Sequence, residues 1–146
     1  MANAIDITGT VNAGAGTAEI RQATNGTAIT LGAEQSGELS LTDAELDQIT
    51  AGTIAIGNAS SGTITVRGAI SPANSASLNL TSGGAITGTA AGTDITVDNL
   101  VATAGTGIDL DTAIASLDAS VTGAGSLTID EADAITLTDV DTANGS

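Results

Sequence analysis

Five aspartates in the last third of the chain have the residue type and spacing that best suit a chemical role. Carboxylate oxygens are the ligands that Ca²⁺ prefers, and Ca²⁺ tolerates loose geometry. If their strands lie side by side, Asp111 and Asp130 sit roughly 5 Å apart at Cα. The tract that begins at Asp139 resembles a calcium loop, although its Gly comes one place late and the closing Glu is missing. The candidate calcium ligands are Asp111, Asp130, Asp133, Asp139 and Asp141.

An acidic face that is solvated, with no cofactor, is the alternative interpretation of these carboxylates. Two like charges on adjacent strands destabilise a sheet unless water or a cation separates them. Of the 17 acidic residues, ten lie from Asp94 to Asp141 and none lies between Gln48 and Thr93. The sequence therefore predicts an acidic second half of the chain. It favours the solvated face, and a Ca²⁺ site is the functional hypothesis beside it.

Few groups in this chain could support catalysis. There is no His, Cys or Tyr, and both basic residues are Arg, so general bases and nucleophiles reduce to carboxylates and hydroxyls. A paired-carboxylate glycosidase built on Asp109 and Asp111 has only their spacing in its favour. The turns between the apolar segments are too short to build a substrate cleft. The sequence predicts that the protein is not an enzyme.

The net charge of −15 limits the partners of the chain. Nucleic acids and anionic membrane surfaces attract clustered Lys and Arg, which this chain lacks. No segment approaches the roughly 18–20 apolar residues that a membrane span needs. The sequence predicts no nucleic-acid partner and no membrane insertion.

Short β-strands must position the carboxylates, because one triplet pattern returns along the whole chain. In each triplet two aliphatic residues flank a small or polar one, so the aliphatics share one face of a strand. Gly, Asn and Asp turns follow the triplets, and no segment of helix length separates them. The triplets are Ile5-Asp6-Ile7, Ile29-Thr30-Leu31, Leu39-Ser40-Leu41, Ile54-Ala55-Ile56, Ile64-Thr65-Val66, Leu78-Asn79-Leu80, Ile95-Thr96-Val97, Ile108-Asp109-Leu110, Leu127-Thr128-Ile129 and Ile135-Thr136-Leu137.

The triplets predict an all-β fold, a right-handed parallel β-helix, or β-solenoid. Each turn of the coil, or rung, would hold about three short strands in roughly 22 residues, and parallel crossovers are nearly always right-handed. Residues 1–146 would then form a single solenoid of about six rungs, roughly 29 Å long. An antiparallel sandwich is the alternative, although it usually carries core aromatics, and this chain has none.

The core of such a coil would be a column of aliphatic side chains, because no aromatic residue is available to fill it. Three interleaved series provide it. They are Ile29, Ile54, Leu78 and Leu100; Leu39, Ile64, Ile86, Ile108 and Leu127; and Ile49, Ile70, Ile95, Leu117 and Ile135.

One segment interrupts the triplets. Thr42 and Glu45 have the spacing of a capping box, and Leu46 and Ile49 are spaced as on one helical face. The segment predicts a short helical turn at a corner of the coil.

A resemblance to a known family is carried by residues 39–88, LSLTDAELDQITAGTIAIGNASSGTITVRGAISPANSASLNLTSGGAITG, and in style by GTGIDLDTAIASLDAS further on. They resemble the repeats of bacterial surface proteins of the filamentous haemagglutinin-like type. The resemblance implies a secreted β-helical stalk at the cell surface, which serves adhesion, matrix or filament formation and faces a host or matrix surface. A calcium-stabilised module that binds carbohydrate or a surface is the alternative, and the lack of aromatics counts against it.

The two ends of the coil show no obvious cap in the sequence. An uncapped strand edge presents unpaired backbone donors and acceptors to another chain. End-to-end stacking of copies is a heterologous contact that does not close, so it produces filaments. The sequence thus predicts either a self-stacking subunit or a fragment whose caps lie elsewhere in a longer protein.

Overall fold

The computed structural model describes residues 5–143. It is all-β, with 51% of residues in strands and 3% in helix. All strand pairs among the described residues are parallel. The predicted all-β class is confirmed, and the antiparallel sandwich is wrong. The sheet curls into a half-barrel around an aliphatic core.

Thirteen strands and one helical turn make up the described part of the chain. In chain order they are β1 (Val11–Asn12), β2 (Thr17–Ile20), β3 (Ile29–Leu31), β4 (Leu39–Leu41), α1 (Asp43–Leu46), β5 (Ile49–Thr50), β6 (Thr53–Asn58), β7 (Ile64–Val66), β8 (Ser77–Ser82), β9 (Ala85–Gly88), β10 (Ile95–Ala104), β11 (Gly107–Val121), β12 (Leu127–Glu131) and β13 (Thr136–Thr142).

The long strand β11 joins two stacks of parallel strands. Its first residues pair with β9 and β12, whereas its last residues pair with β10 and β13. We call β4, β3, β7, β9, the start of β11 and β12 the first stack. The second stack is β2, β6, β8, β10, the end of β11 and β13. The sheet therefore bends around the core where β11 passes from one stack to the other.

The core is a column of Ile, Leu, Val and Ala side chains between the stacks. In the first stack Ile64, Ile86 and Ile108 lie in register, each 22 residues after the one before, and Leu127 continues the series. In the second stack Ile54, Leu78 and Leu100 lie in register in the same way. For these residues the predicted series are confirmed. Because neighbouring strands bury the same face, each added strand lengthens one continuous apolar column.

Two members of the predicted series lie elsewhere. Ile29 belongs to the first stack, between Leu39 and Ile64, and it does not neighbour Ile54. Ile95 pairs with Ile70 as predicted, but its partner on the other side is Thr112, and Leu117 pairs with Leu100 in the second stack.

The position of Ile29 differs from the prediction because the chain adds one more strand to the first stack between β3 and β5. After β3 the chain turns back, and β4 pairs with β3 in parallel on the side away from β7. The next strand of the first stack therefore begins at Ile64, not one regular interval after Ile29. The regular spacing from Ile29 to Ile54 is a coincidence of sequence.

The predicted helical turn is confirmed as α1. Thr42 caps it: its side chain accepts a hydrogen bond from the Glu45 N–H, and the Glu45 carboxylate accepts one from the Thr42 N–H, a capping box. Two acidic side chains tie α1 to the loop before β8. Asp43 accepts from the N–H of Ser71, and Asp47 from the N–H of Ala73, at 2.7 and 2.8 Å.

Glycines at the corners serve two different needs. Gly57 has a φ of 80°, the left-handed region that favours glycine. Gly105 has no such φ, but a Cβ there would overlap the carbonyl oxygen of Gly83 on the neighbouring strand turn. Close approach of stacked backbones, which cannot be read from turn chemistry, therefore also selects glycine.

Within residues 5–143, no helix has the length and apolar character needed to cross a membrane.

Candidate functional site

Two of the five predicted calcium ligands are brought together. Asp111 of β11 and Asp130 of β12 are direct partners in the parallel ladder, and both side chains are exposed. They line a shallow hollow of about 300 Å³ together with Glu131 and the small residues around Thr93. The adjacency that the sequence predicts for this pair is therefore confirmed.

The other three candidates lie elsewhere. Asp133 lines a separate groove beyond β12. Asp139 is the ladder partner of Asp118, and Asp141 is that of Ser120, both in the second stack. Across residues 5–143, no three potential metal ligands of the His, Cys, Asp or Glu type converge. A Ca²⁺ site thus stays a prediction, and it concerns the Asp111–Asp130 pair.

Glu131 adjoins this pair but is held by the sheet. Its Oε2 accepts a hydrogen bond from the Thr112 hydroxyl at 2.7 Å, and its Oε1 accepts from the N–H groups of Ile114 and Ala132, each at 3.1 Å. Those bonds satisfy both oxygens at the point where β11 passes between the stacks. The Glu131 carboxylate therefore holds the backbone of β11 and of the turn after β12, and both of its oxygens already accept hydrogen bonds.

We expect replacement of Asp111 by Asn to raise Tm in EDTA by roughly 1–3 °C, because it removes a like charge beside Asp130. Asp109→Asn is the matched control, since the ladder partners of Asp109 are Thr87 and Thr128 and carry no charge. Melting curves at low salt measure both variants. An Asp111→Asn variant that melts below the native chain would contradict the expectation.

The same variant tests the calcium prediction. Ca²⁺ bound by the pair would raise Tm of the native chain over its value in EDTA, and it would leave Asp111→Asn unchanged. Coincident curves for the native chain in Ca²⁺ and in EDTA would rule the site out.

Asp94 has a structural role that is not apparent from the sequence, in which it is only the first residue of the acidic region. Its side chain is only 3% exposed. Oδ1 accepts from the Ala90 N–H at 3.1 Å, and Oδ2 accepts from the Asp111 N–H at 2.9 Å. Gly88 makes room for it, because a Cβ at that position would overlap the carboxylate. The one feature of the sequence that could have indicated this role is the position of Asp94 between a Gly-Thr turn and the aliphatic Ile95.

Glu45 joins the start of the chain to α1. In addition to its bonds with Thr42, its Oε1 accepts from the N–H of Ile7 at 3.0 Å. Partial burial by itself raises the pKa of Glu45, but the hydrogen bonds from the N–H groups of Thr42 and Ile7 outweigh it and hold the pKa below its usual value. The ionised form is thus the one that the fold stabilises.

A group with a depressed folded pKa stabilises the protein above its unfolded pKa, and this contribution disappears as pH falls through the folded value. For Glu45 the loss begins below the ordinary value of 4.5. We expect Glu45→Gln to lower the urea midpoint near neutral pH and to show a smaller further loss on acidification than the native chain. Asp98→Asn, at an exposed position, is the control. Parallel pH profiles for the native chain and Glu45→Gln would refute the assignment.

One end of the core column is open. We call the open end the apolar surface where β12 and β13 terminate the two stacks. Leu137 and Val140 are 61% and 43% exposed there. The surface holds a hollow of about 350 Å³ lined by Leu117, Leu127, Ile129, Glu131, Ile135, Leu137 and Val140.

The opposite end is covered in its first stack. Leu39, Ser40 and Leu41 of β4 are at most 4% exposed, and Ile5 and Ile7 pack against the core. In the second stack β2 is the terminal strand, its inward Ala18 is buried and its outward Thr17 and Glu19 are exposed. The sequence predicts two bare ends, whereas in the structure β4 closes part of one of them.

A further groove lies between the loop before β8 and the start of β10. It measures about 720 Å³ and is lined mainly by Ala, Ser and Gly, with Asp98 and Asp133 as its charged residues. Comparison of the chain with protein-family models, with curated proteins and with solved structures finds no match.

Proposed function

We propose that this chain is a right-handed parallel β-helix that serves as a structural, non-enzymatic segment of a bacterial extracellular fibre or adhesin stalk. The observation that carries the proposal is the in-register parallel ladder. Successive strands of one stack, such as β7 and β9, pair side by side although the chain passes through β8 of the other stack between them, and their inward residues recur after 22 positions. A chain that advances by one strand spacing each time it returns to the same stack traces a coil.

The composition of the core supports a scaffold. Its buried residues are mainly aliphatic, and buried polar side chains such as Asp94 and Ser82 bond to backbone groups at the turns. Each strand extends the sheet. Such a body gains length as strands are added, and length is what a stalk or fibre requires.

The surface charge also fits a fibre segment. The chain carries −15, and its acidic residues are concentrated on the strands near the open end. Like charges along the sides keep neighbouring rods apart in solution. Adhesion to a host or matrix surface would then belong to other parts of the fibre.

Surface labelling tests the proposal. Antibodies raised against the purified chain should label intact cells of the bacterium that produces it, and fibres on those cells should carry the label. An antibody to a cytosolic protein, which labels only after permeabilisation, is the control. Labelling that also requires permeabilisation would overturn the extracellular role.

A further inference from the structure

We propose that a second copy of this chain docks on the open end, with its β2 pairing in parallel with β13. This inference rests on the proposed solenoid, and it adds the partner, the polarity and the register of the contact.

The two strands are the terminal members of one stack. The second stack runs β2, β6, β8, β10, β11, β13, so each terminal strand has one neighbour among the described residues. Parallel neighbours lie about 4.8 Å apart. A shift of six such steps, about 29 Å along the stack, places β2 of a second copy where the next neighbour of β13 belongs.

The ladder fixes which residues meet. Successive partners run from Ile20 through Ile56, Leu80, Ala102 and Ala119 to Val140. A parallel series runs from Ala18 through Ile54, Leu78, Leu100 and Leu117 to Leu137. Continuing both series sets Ile20 of the second copy on Val140 and Ala18 on Leu137. Because β13 has one extra residue between these two positions, the new ladder repeats the irregularity that already separates β11 from β13. The two exposed large aliphatics of β13 become buried, as their equivalents are along the rest of the stack.

Charge favours this polarity. In the same register Arg21 of the second copy falls beside Asp141, and Glu19 falls beside Asp139. Glu19 and Asp139 are a like-charge pair in this register, and Arg21, which already lies 3.2 Å from Glu19 with both side chains about half exposed, is the cation that offsets it. A contact between two open ends would instead bring two sets of acidic strands together with no cation on either.

A buried polar side chain follows shortly after β2. Gln22 is 7% exposed; its Nε2 donates to Asn58 Oδ1 at 3.0 Å, and its Oε1 has no hydrogen-bond donor within the described chain. Asn58 begins a ladder that ends at Thr142. In the docked pair Thr142 continues that ladder and lies beside Gln22.

Cysteine cross-linking tests the register directly, because the chain has no cysteine of its own. Glu19→Cys with Asp139→Cys places one thiol on each terminal strand at positions that meet in the docked pair, at a Cα separation within the range for a disulfide. On mild oxidation we expect a ladder of covalent dimers, trimers and longer species. The control combines Glu19→Cys with Thr128→Cys, an exposed position in the first stack, and is expected to give no ladder beyond dimers.

Charge reversal provides a second readout on the cysteine-free chain. Arg21→Asp is expected to weaken self-association by about tenfold or more in sedimentation measurements. Arg67→Asp makes the same charge change in the middle of the first stack and should have little effect. Combining Arg21→Asp with Asp141→Arg should restore association.

Three outcomes would overturn the inference. They are equal ladders in both double-cysteine variants, no ladder in either, and a native chain that stays monomeric and binds another protein at the open end. Circular dichroism establishes that the variants are folded. Cells that carry the label on their surface, together with a monomeric chain, would leave the stalk proposal standing and remove only the docking.

Discussion

Replacing Ile86 with Asp is expected to leave the chain unfolded at room temperature. Ile86 has no solvent-exposed surface and lies between Ile64 and Ile108 in the first stack. Loss of the aliphatic side chain alone costs about 2–5 kcal/mol. An unpaired carboxylate in the column adds several kcal/mol more. The total is comparable to the whole stability of a typical domain, about 5–15 kcal/mol.

Circular dichroism and thermal melting measure the effect. Thr65→Asp introduces the same charge on the adjacent strand, at a position that faces outward and is only partly buried. It should fold and melt cooperatively. Ile86→Ala should lie between the two, since it leaves a cavity without a charge. If Ile86→Asp melted like Thr65→Asp, the assignment of Ile86 to the column would be wrong.

The local pattern of the sequence predicts which residues face the core. In Ile64-Thr65-Val66 the two aliphatics are buried and the Thr between them is partly exposed, as period-two alternation requires. The same logic places Asp111 beside Asp130, because both follow aligned triplets. Face and spacing are local properties, so both can be read from single segments.

The pairing partner of a strand is not a local property. Leu39-Ser40-Leu41 has the same pattern as the other triplets, but it pairs with β3 on the side away from β7. Any alignment of the series through Ile29 is therefore out of register. The ladder between β11 and β13 contains an irregularity after Leu117, so Asp139 reaches Asp118 by a shift that no periodic pattern contains. Both departures depend on the path of the whole chain.

The role of a single side chain can also depend on the path of the whole chain, as Asp94 shows. The contribution of Asp94 to stability depends on two N–H groups that bond to its carboxylate, one of them 17 residues away on β11. Composition presents it as one carboxylate among many in the acidic region. Only the fold shows that it is buried while Asp111, whose N–H it binds, is exposed.

Replacing Asp94 with Ala is expected to destabilise the chain by about 2–5 kcal/mol, because it leaves the N–H groups of Ala90 and Asp111 without their acceptor. Asp94→Asn keeps the shape but turns an amide NH₂ toward one of those donors, so it should lose a large part of the same energy. Urea unfolding of both variants measures the two costs. A loss below about 1 kcal/mol for Asp94→Ala would show that water replaces the carboxylate without cost.

A substitution at Gly88 tests whether the Asp94 carboxylate lies where the structure places it. A Cβ at Gly88 overlaps Asp94, so Gly88→Ala should strongly destabilise the native chain. In the Asp94→Ala background the obstructing carboxylate is gone, and the added methyl group enters the space that it occupied. The two costs are therefore expected to be non-additive by about 1–3 kcal/mol, the double variant being more stable than the sum predicts. Additive costs would mean that Gly88 is required for a reason other than Asp94, and the carboxylate would then lie elsewhere in solution.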